Sequence, residues 1–431
     1  MAANDIEYLR TQYPDYVKLA EVNYWRNFIL LTMDGSMFAF AMAMFSVDTI
    51  LPYFVSLLTK SSILIGLVPA VFSLGFYAPQ LLGAYLANLR TRRKPLILGI
   101  VISQRIGIFF IALTAQMMGV LTPQLILVLF FTSFMVFSFV NGMIGPAYTD
   151  FIGKNIIRNR GLFFGVNFAA SGVMGLIASL ISKYFLDRYD SPMSFQTIFW
   201  IGFCLSFISP FIVSGFREAE LPYAVKPEGF GTFFRQIPGL LRENPLFVRY
   251  VLARTVMGLG MMGNSFFAVY AIRKFGLTAG TLGLFTMTIL LAQSLLSLVW
   301  GWVGDRFGYK MVLMTAGVFM VLEAILALTA PAAWFFFLIS LLVGGVYSAI
   351  WISDPNFVFE IVAPEQTSRF LGISNTLLAP LAVVAPILAG FLVEITGYTG
   401  LFWAILVIAS IGVVGVWRTV KEPRKQRSIP V

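Results

Sequence analysis

Histidine is absent from this chain, cysteine occurs once, and charged residues fill only 12% of the 431 positions. The missing imidazole excludes histidine general bases, haem held through histidine and histidine-containing zinc sites. A lone Cys204 excludes an intrachain disulfide. Because it lies in an apolar run, it is expected to be a small buried hydrophobe. The scarcity of charge, set against 58% hydrophobic residues, excludes a soluble fold, since no compact core could bury that much apolar surface. Asp5, Glu7, Arg10, Asp15, Lys18 and Glu21 break up the beginning of the chain. No cleavable signal peptide is therefore expected, and the first apolar segment should act as the insertion signal.

What is abundant is apolar sequence in long runs. A helix needs about 20 such residues to cross a bilayer, and runs of that kind lie at 28 to 58, 63 to 88, 95 to 117, 123 to 145, 161 to 186 and 197 to 215. A second set lies at 247 to 272, 279 to 303, 311 to 330, 332 to 353, 370 to 395 and 400 to 417. Open sheets cannot span lipid, and runs this long do not alternate like barrel strands. The expected fold class is an all-α integral membrane protein of twelve transmembrane helices in two pseudo-symmetric six-helix bundles. The expected domains are an N-terminal tail (1–27), a first bundle (28–215), a linker rich in Pro, Gly and charge (216–246), a second bundle (247–417) and a C-terminal tail (418–431).

The net charge of +10 is dispersed in short clusters between the runs and forms no stripe for nucleic acid. The clusters instead orient the chain. Four basic residues (Lys60, Arg188, Arg273 and Lys274) fall in loops on one side, and all the other loop and tail Lys and Arg fall on the opposite side. By the positive-inside rule both tails are cytoplasmic, in a multi-pass protein expected in the plasma or inner membrane.

The two sets of runs repeat one another. An offset of 217 lays Tyr53 on Tyr270, Gly66 on Gly283, Leu67 on Leu284, Asn88 on Asp305 and Arg93 on Lys310 without a gap. An offset of 209 lays Pro146 on Pro355 and Arg160 on Arg369. Both halves start on the same side and contain six runs, so the repeat is parallel.

Between the eighth and ninth runs stands Gly301-Trp-Val-Gly-Asp305-Arg306-Phe-Gly308-Tyr-Lys310. This resembles the loop signature of the major facilitator superfamily, and the likeness extends over nearly the whole chain. The first-half copy, Gly83 to Lys94 with Arg92 and Arg93, departs from the pattern at Asn88, where the family usually has Asp. The resemblance implies a secondary transporter in which these loops, with Arg160 and Arg369, form charged cytoplasmic gates. It also implies that spans one, four, seven and ten line a central cavity.

A charge within a span is costly and points to function. On the implied cavity-lining spans these are Asp34 and Asp48 (span one), Arg254 (span seven) and Asp354 (span ten), joined by the polar Asn141 and Asn264. Asp34, followed by Gly35 and Ser36, is expected to carry a coupling proton or to neutralise Arg105 or Arg254. Asp48 is expected near a distortion at Pro52, and Asp354-Pro355 at an inner hinge or helix end. Arg105 and Glu323, in spans three and nine, are expected to stabilise their own bundles. Phe130, Phe134 and Phe137 share a face with Asn141, as packing or as cavity wall.

Neither metal nor phosphate chemistry has a matching cluster, so no enzyme and no cofactor is expected. The expected function is movement of a small solute by alternating access in a monomer, with protons as a candidate coupling ion. Ala385-Pro386-Ile-Leu-Ala-Gly390 in span eleven partly matches the antiporter pattern of the family and points to efflux. Span four carries no Arg, and span five no Pro among Gly165, Ser171, Gly172 and Gly175, so the match is partial. The alternatives are an uptake symporter and a transport-inactive assembly factor or sensor that uses its aromatic N-terminal tail.

Overall fold

The computed structural model describes residues 11–88, 92–219, 230–362 and 367–422, and apart from one isolated bridge between Met118 and Leu121 its regular structure is helical. In chain order the helices are α1 (Pro14–Val22), α2 (Tyr24–Met44), α3 (Ile50–Leu58), α4 (Ser62–Tyr77), α5 (Gln80–Asn88) and α6 (Lys94–Gln116). They continue as α7 (Pro123–Asn155), α8 (Arg160–Arg188), α9 (Met193–Ser206), α10 (Ser209–Ser214), α11 (Phe230–Glu243) and α12 (Pro245–Gly260). The last five are α13 (Asn264–Phe275), α14 (Thr281–Phe307), α15 (Tyr309–Thr329), α16 (Phe335–Ile361) and α17 (Thr367–Thr419).

Ten stretches among the described residues are long and apolar enough to cross a membrane. The second expected span falls on the shorter apolar helix α4 and on α5. The eleventh and twelfth fall together on α17. At 1.5 Å per residue its 53 residues would reach about 80 Å as one rod, against a hydrocarbon core of about 30 Å. The backbone turns at Gly397, whose φ of +72° is cheap only for glycine.

Local sequence explains the other interruptions. The first expected span breaks between α2 and α3 at residues 45–49, and Pro52 then sits in the first turn of α3, where a missing N–H costs no helical bond. Span seven loosens into a 3-10 turn, Met261–Gly263, between α12 and α13. Pro146 and Pro355 do not end their helices. α7 runs on to Asn155 and α16 to Ile361, so the helix-end reading of Asp354-Pro355 gives way to an interior position.

The chain divides into two compact units. One comprises the described residues of Met1–Phe45, Gly75–Ile181 and Tyr189–Glu228, and the other those of Ser46–Leu74, Ser182–Arg188 and Gly229–Val431. Thus 46–74 and 182–188, from the first half of the sequence, pack with helices of the second half.

In the first unit Phe28, Leu31, Ile97, Ile100, Phe151, Phe163 and Phe216 form a shared core. Phe130, Phe134 and Phe137 are buried and stack successively, with centroids 5.6 and 6.2 Å apart. Gly107 of α6 sits against Phe137, which makes this face interhelix packing. The tail is also engaged: Tyr16, Val17 and Ala20 of α1 pack with Ile157 and Ala219, and the Tyr16 hydroxyl donates to the Lys154 carbonyl at 2.7 Å. Residues 1–10 of the tail and 220–229 of the linker lie outside the described residues.

In the second unit Tyr250, Met257, Val312, Leu313, Met320, Phe357 and Phe370 anchor the core. Cys204 departs from expectation, being exposed. The burial rule for free cysteine assumes water outside, whereas α9 is a candidate span whose outward face would meet lipid.

Candidate functional site

Three helices of the first unit bring polar side chains to a cavity of about 210 Å³. Its wall is formed by Asp34, Gly35 and Phe38 of α2, Val101, Gln104 and Arg105 of α6, and Ile144, Gly145, Tyr148 and Thr149 of α7. Asp34 is 5% exposed and accepts hydrogen bonds from the hydroxyls of Tyr148 (2.7 Å) and Ser209. Arg105, 2% exposed, donates through Nε to the Ser206 carbonyl (2.8 Å) and through Nη1 to Oε1 of Gln104 (3.0 Å). Its guanidinium lies 5.7 Å from the Phe38 ring centroid and feels the charge of Asp34. Gln104 donates to Oδ1 of Asn141 at 2.9 Å. The expected neighbourhood of Asp34 and Arg105 is therefore present, with hydroxyls rather than the guanidinium on the carboxylate. Arg105 is part of this wall as well as a support for its own bundle.

Such a wall suits a solute. Two opposite charges within candidate spans are held by fixed donors and acceptors, so they need little rearrangement when a ligand arrives. Gly145 leaves open space beside it, whereas Gly35 lies against the Asn167 amide.

The second unit carries a related constellation on exchanged helices. Nε of Arg254 in α12 donates to both oxygens of Asp354 in α16 at 3.1 Å, and the Tyr250 hydroxyl donates to Oδ1 at 2.7 Å. Tyr250 stacks on Phe357 with centroids 4.6 Å apart. Spans one and seven correspond in the repeat, as do four and ten. In the first unit the acid is on span one and the tyrosine on span four; in the second the tyrosine is on span seven and the acid on span ten.

A separate polar group lies elsewhere in the second unit. Tyr347 of α16 donates to Oδ1 of Asp48 at 2.8 Å and accepts from the Asn264 amide at 3.1 Å. Beside it, the Thr49 and Thr286 hydroxyls are 2.5 Å apart, and Ser265 donates to the Val47 carbonyl at 3.3 Å. Glu323 of α15 is 1% exposed, and its Oε1 has no hydrogen-bond partner among the described residues. A buried carboxyl so poorly solvated weakens a fold, so Glu323→Met is expected to raise the thermal unfolding midpoint by a few degrees, measured by scanning fluorimetry in detergent. A lowered midpoint would show that this carboxyl is satisfied.

At the basic loops of each half an acid that follows the last span lies at the start of the third span. Glu218 accepts from the backbone N–H groups of Arg93 (2.6 Å) and Lys94 (2.8 Å), capping α6. Lys94 in turn donates to the carbonyls of Ser214 and Phe216. In the second half Glu422 lies against Gly308 (φ +93°), which precedes α15, and Lys310 donates to the Trp417 carbonyl at 2.9 Å.

Arg93 pairs with Asp150 at 2.7 Å, and Lys154 joins the same carboxylate at 2.9 Å. Asp305 accepts from the Tyr309 hydroxyl at 2.8 Å. Arg306 lies over Trp302 and Phe307, while Gly301 has open space beside it. Arg92 is exposed. The side chains of Asn88, Arg160 and Arg369 lie outside the described residues.

Sequence reasoning missed the hydroxyl donors Tyr148, Ser209, Tyr250 and Tyr347, because nothing in a linear pattern marks which tyrosine faces a carboxylate. Glu218 and Glu422 did leave a signal. Phe216-Arg217-Glu218 and Val420-Lys421-Glu422 place an aromatic or aliphatic residue, a base and an acid after the last helix of each half.

Comparisons with known proteins agree with this architecture. The structure of the nucleoside transporter NupG is similar with a TM-score of 0.70 at 16% identity, covering 90% of this chain and 98% of that one. A D-xylose-proton symporter gives 0.71 at 15% identity, over 93% and 98%. A bacterial homologue of the human lysosomal transporter Spinster gives 0.68 at 16%, over 94% and 99%. At these identities the likeness concerns the fold. No curated protein sequence matches the chain. The sequence profile described as Major Facilitator Superfamily matches residues 34–270 and 250–431, and the chain belongs to that superfamily.

Proposed function

We propose that this protein is a proton-coupled secondary transporter that moves a small solute of no net charge by alternating access. The observation that carries the reading is the cavity in the first unit, where Asp34 and Arg105 contribute opposite charges to one wall. A wall that is neutral overall favours a neutral or zwitterionic polar solute, since a net charge would be desolvated without a countercharge. In this reading the chain crosses the membrane twelve times, with α17 supplying two crossings about Gly397, and both tails are cytoplasmic. It is not an enzyme.

Asp34 and Asp48 take different parts. Two hydroxyls hold Asp34 and a guanidinium lies near it, which suits a fixed binding group. Asp48 has the single neutral donor Tyr347, and a carboxylate so lightly held can accept and release a proton as its surroundings open. We therefore assign coupling to Asp48 rather than to Asp34.

Reconstitution into proteoliposomes tests this. Nucleosides and pentoses, the solute classes named for two fold neighbours, head a panel of radiolabelled neutral solutes. For the solute that moves, Asp48→Asn is expected to abolish accumulation driven by a pH gradient while leaving exchange without a gradient intact. Asp34→Asn is expected to reduce flux in both assays by about 100-fold, the scale of one or two lost charge-assisted hydrogen bonds. Gradient-driven accumulation that persists in Asp48→Asn would remove Asp48 from coupling. The sign of the gradient that drives movement decides between efflux and uptake.

A further inference from the structure

At the ends of the helices remote from the basic loops, the second unit holds two carboxylates on the starts of helices, in a matched pair. Near the end of α8, Asp187 accepts from the Thr278 hydroxyl at 2.7 Å and from the backbone N–H of Gly280, just before α14 begins. Lys183 supports it at 2.6 Å. In α17, Glu394 accepts from the Ser61 hydroxyl at 2.6 Å and from the backbone N–H groups of Ser62 and Ile63, the first residues of α4.

The two arrangements are copies under the internal repeat. Ser61 and Thr278 are separated by 217 positions, and so are Ile63 and Gly280, the same offset that aligns Gly66 with Gly283. Asp187 and Glu394 are 207 apart and occupy corresponding ends of spans five and eleven. In each copy a hydroxyl and a backbone N–H two residues later meet one carboxylate carried by a helix of the opposite half. Duplication preserved the acid, the hydroxyl and the spacing together, which a chance surface contact would not do.

Backbone packing beneath the second copy is close and reciprocal. A Cβ on Gly66 of α4 would meet the Pro386 carbonyl, and one on Gly390 of α17 would meet the Ser62 carbonyl. Glycines at these two positions let α4 and α17 approach along their backbones, and Glu394 closes the end of that seam. The Thr49–Thr286 and Ser265–Val47 bonds likewise join 46–74 to α14 and α13 of the second half.

We propose that Asp187 and Glu394 are a pair of outer clasps that hold the extracytoplasmic entrance shut, and that both must release for it to open. Each clasp joins a helix of the first sequence half to one of the second, so movement of one half against the other must break it. An anion at a helix start is stabilised by the unpaired N–H groups and the helix dipole. Its interaction is weak enough to be broken in every cycle, and two acting together bias the closed state without locking it. The proposal is independent of which residue carries the proton.

Accessibility of a buried cysteine tests the clasps without any substrate. In a Cys204→Ser background, Ser265→Cys places a thiol at a position that is 2% exposed. Its labelling rate with a membrane-impermeant maleimide is read in sealed vesicles of known orientation. Asp187→Ala and Glu394→Ala are each expected to raise the rate about threefold and the double variant about tenfold, the range of a cap lost singly and twice. Lys60→Ala serves as the control for a change of surface charge.

A second measurement covers variants that do not fold. Ser61→Cys with Glu394→Cys, oxidised to a disulfide, is expected to reduce Ser265→Cys labelling below the parent level, with recovery on reduction. Unchanged rates in a folded double variant, or an oxidised cross-link that leaves labelling at the parent level, would overturn the proposal.

Discussion

Gly142→Leu is expected to keep the first unit from assembling, with loss of the monodisperse species in size-exclusion chromatography. Gly142 of α7 faces the backbone where α4 gives way to α5. A Cβ there would meet the carbonyls of Gly75 and Phe76 and the ring of Pro79, while a Cβ on Gly75 would meet the backbone of Ser138. Backbone atoms cannot swing aside as side chains do. The helices would have to separate, and overpacking of even an adaptable core costs about 1–3 kcal/mol. Here the penalty is larger because the helices that move also support the cavity through Ile144, Gly145 and Tyr148. Gly142→Ala should follow the same direction with a lower thermal midpoint. The equivalent crossing in the second unit supplies a control: Gly344 lies against the Ile289 carbonyl and Ala292, which stands at the position matching Gly75. Gly344→Ala should therefore also lower the midpoint. A Gly142→Leu protein that remains monodisperse and transports normally would refute the crossing.

Asp354→Leu is expected to be far more damaging than removal of the whole ion pair. Arg254 is 6% exposed and would keep its buried charge while losing the carboxylate that its Nε binds. Breaking a buried pair from one side costs about 3–5 kcal/mol, whereas replacing both partners with apolar groups of similar volume is often neutral. The double variant Arg254→Met with Asp354→Leu should therefore regain most of the thermal midpoint lost in the single variant. Flux separates structure from mechanism. If the pair serves only to neutralise charge, the double variant transports; if it takes part in the cycle, the variant is folded and inactive. A double variant no more stable than Asp354→Leu would show that Tyr250 and the surrounding core, rather than charge compensation, hold this site together.

Much of the architecture is written in the residues because bilayer insertion is a local requirement. Each span must satisfy its own backbone hydrogen bonds and present its own apolar surface, so long apolar runs are legible from hydropathy, and ten described stretches are long and apolar enough to cross. The break between the runs ending at 395 and starting at 400, and the Gly301–Lys310 signature, could likewise be located from spacing and residue type. The offset of 217 is also visible in the sequence, and it marks the matched hydroxyls Ser61 and Thr278. What pattern cannot supply is the choice of partner. Asp34, Arg105 and Arg254 all qualify as intramembrane charges, yet their pairing depends on helix rotation and on side chains such as Tyr148 and Ser209 that carry no charge to draw notice.

The sequence therefore determined the helical membrane class, the repeat and the superfamily, since each depends on composition or on spacing along one chain. Packing determined that Asp34 sits with hydroxyls while Arg254 takes Asp354, that α7 and α16 run through their prolines, and that Cys204 faces outward. It also set residues 46–74 among the helices of the second half and brought Asp187 and Glu394 to the starts of α14 and α4. These contacts join residues far apart in sequence, and their geometry follows from how closely helix backbones approach at Gly66, Gly142 and Gly390.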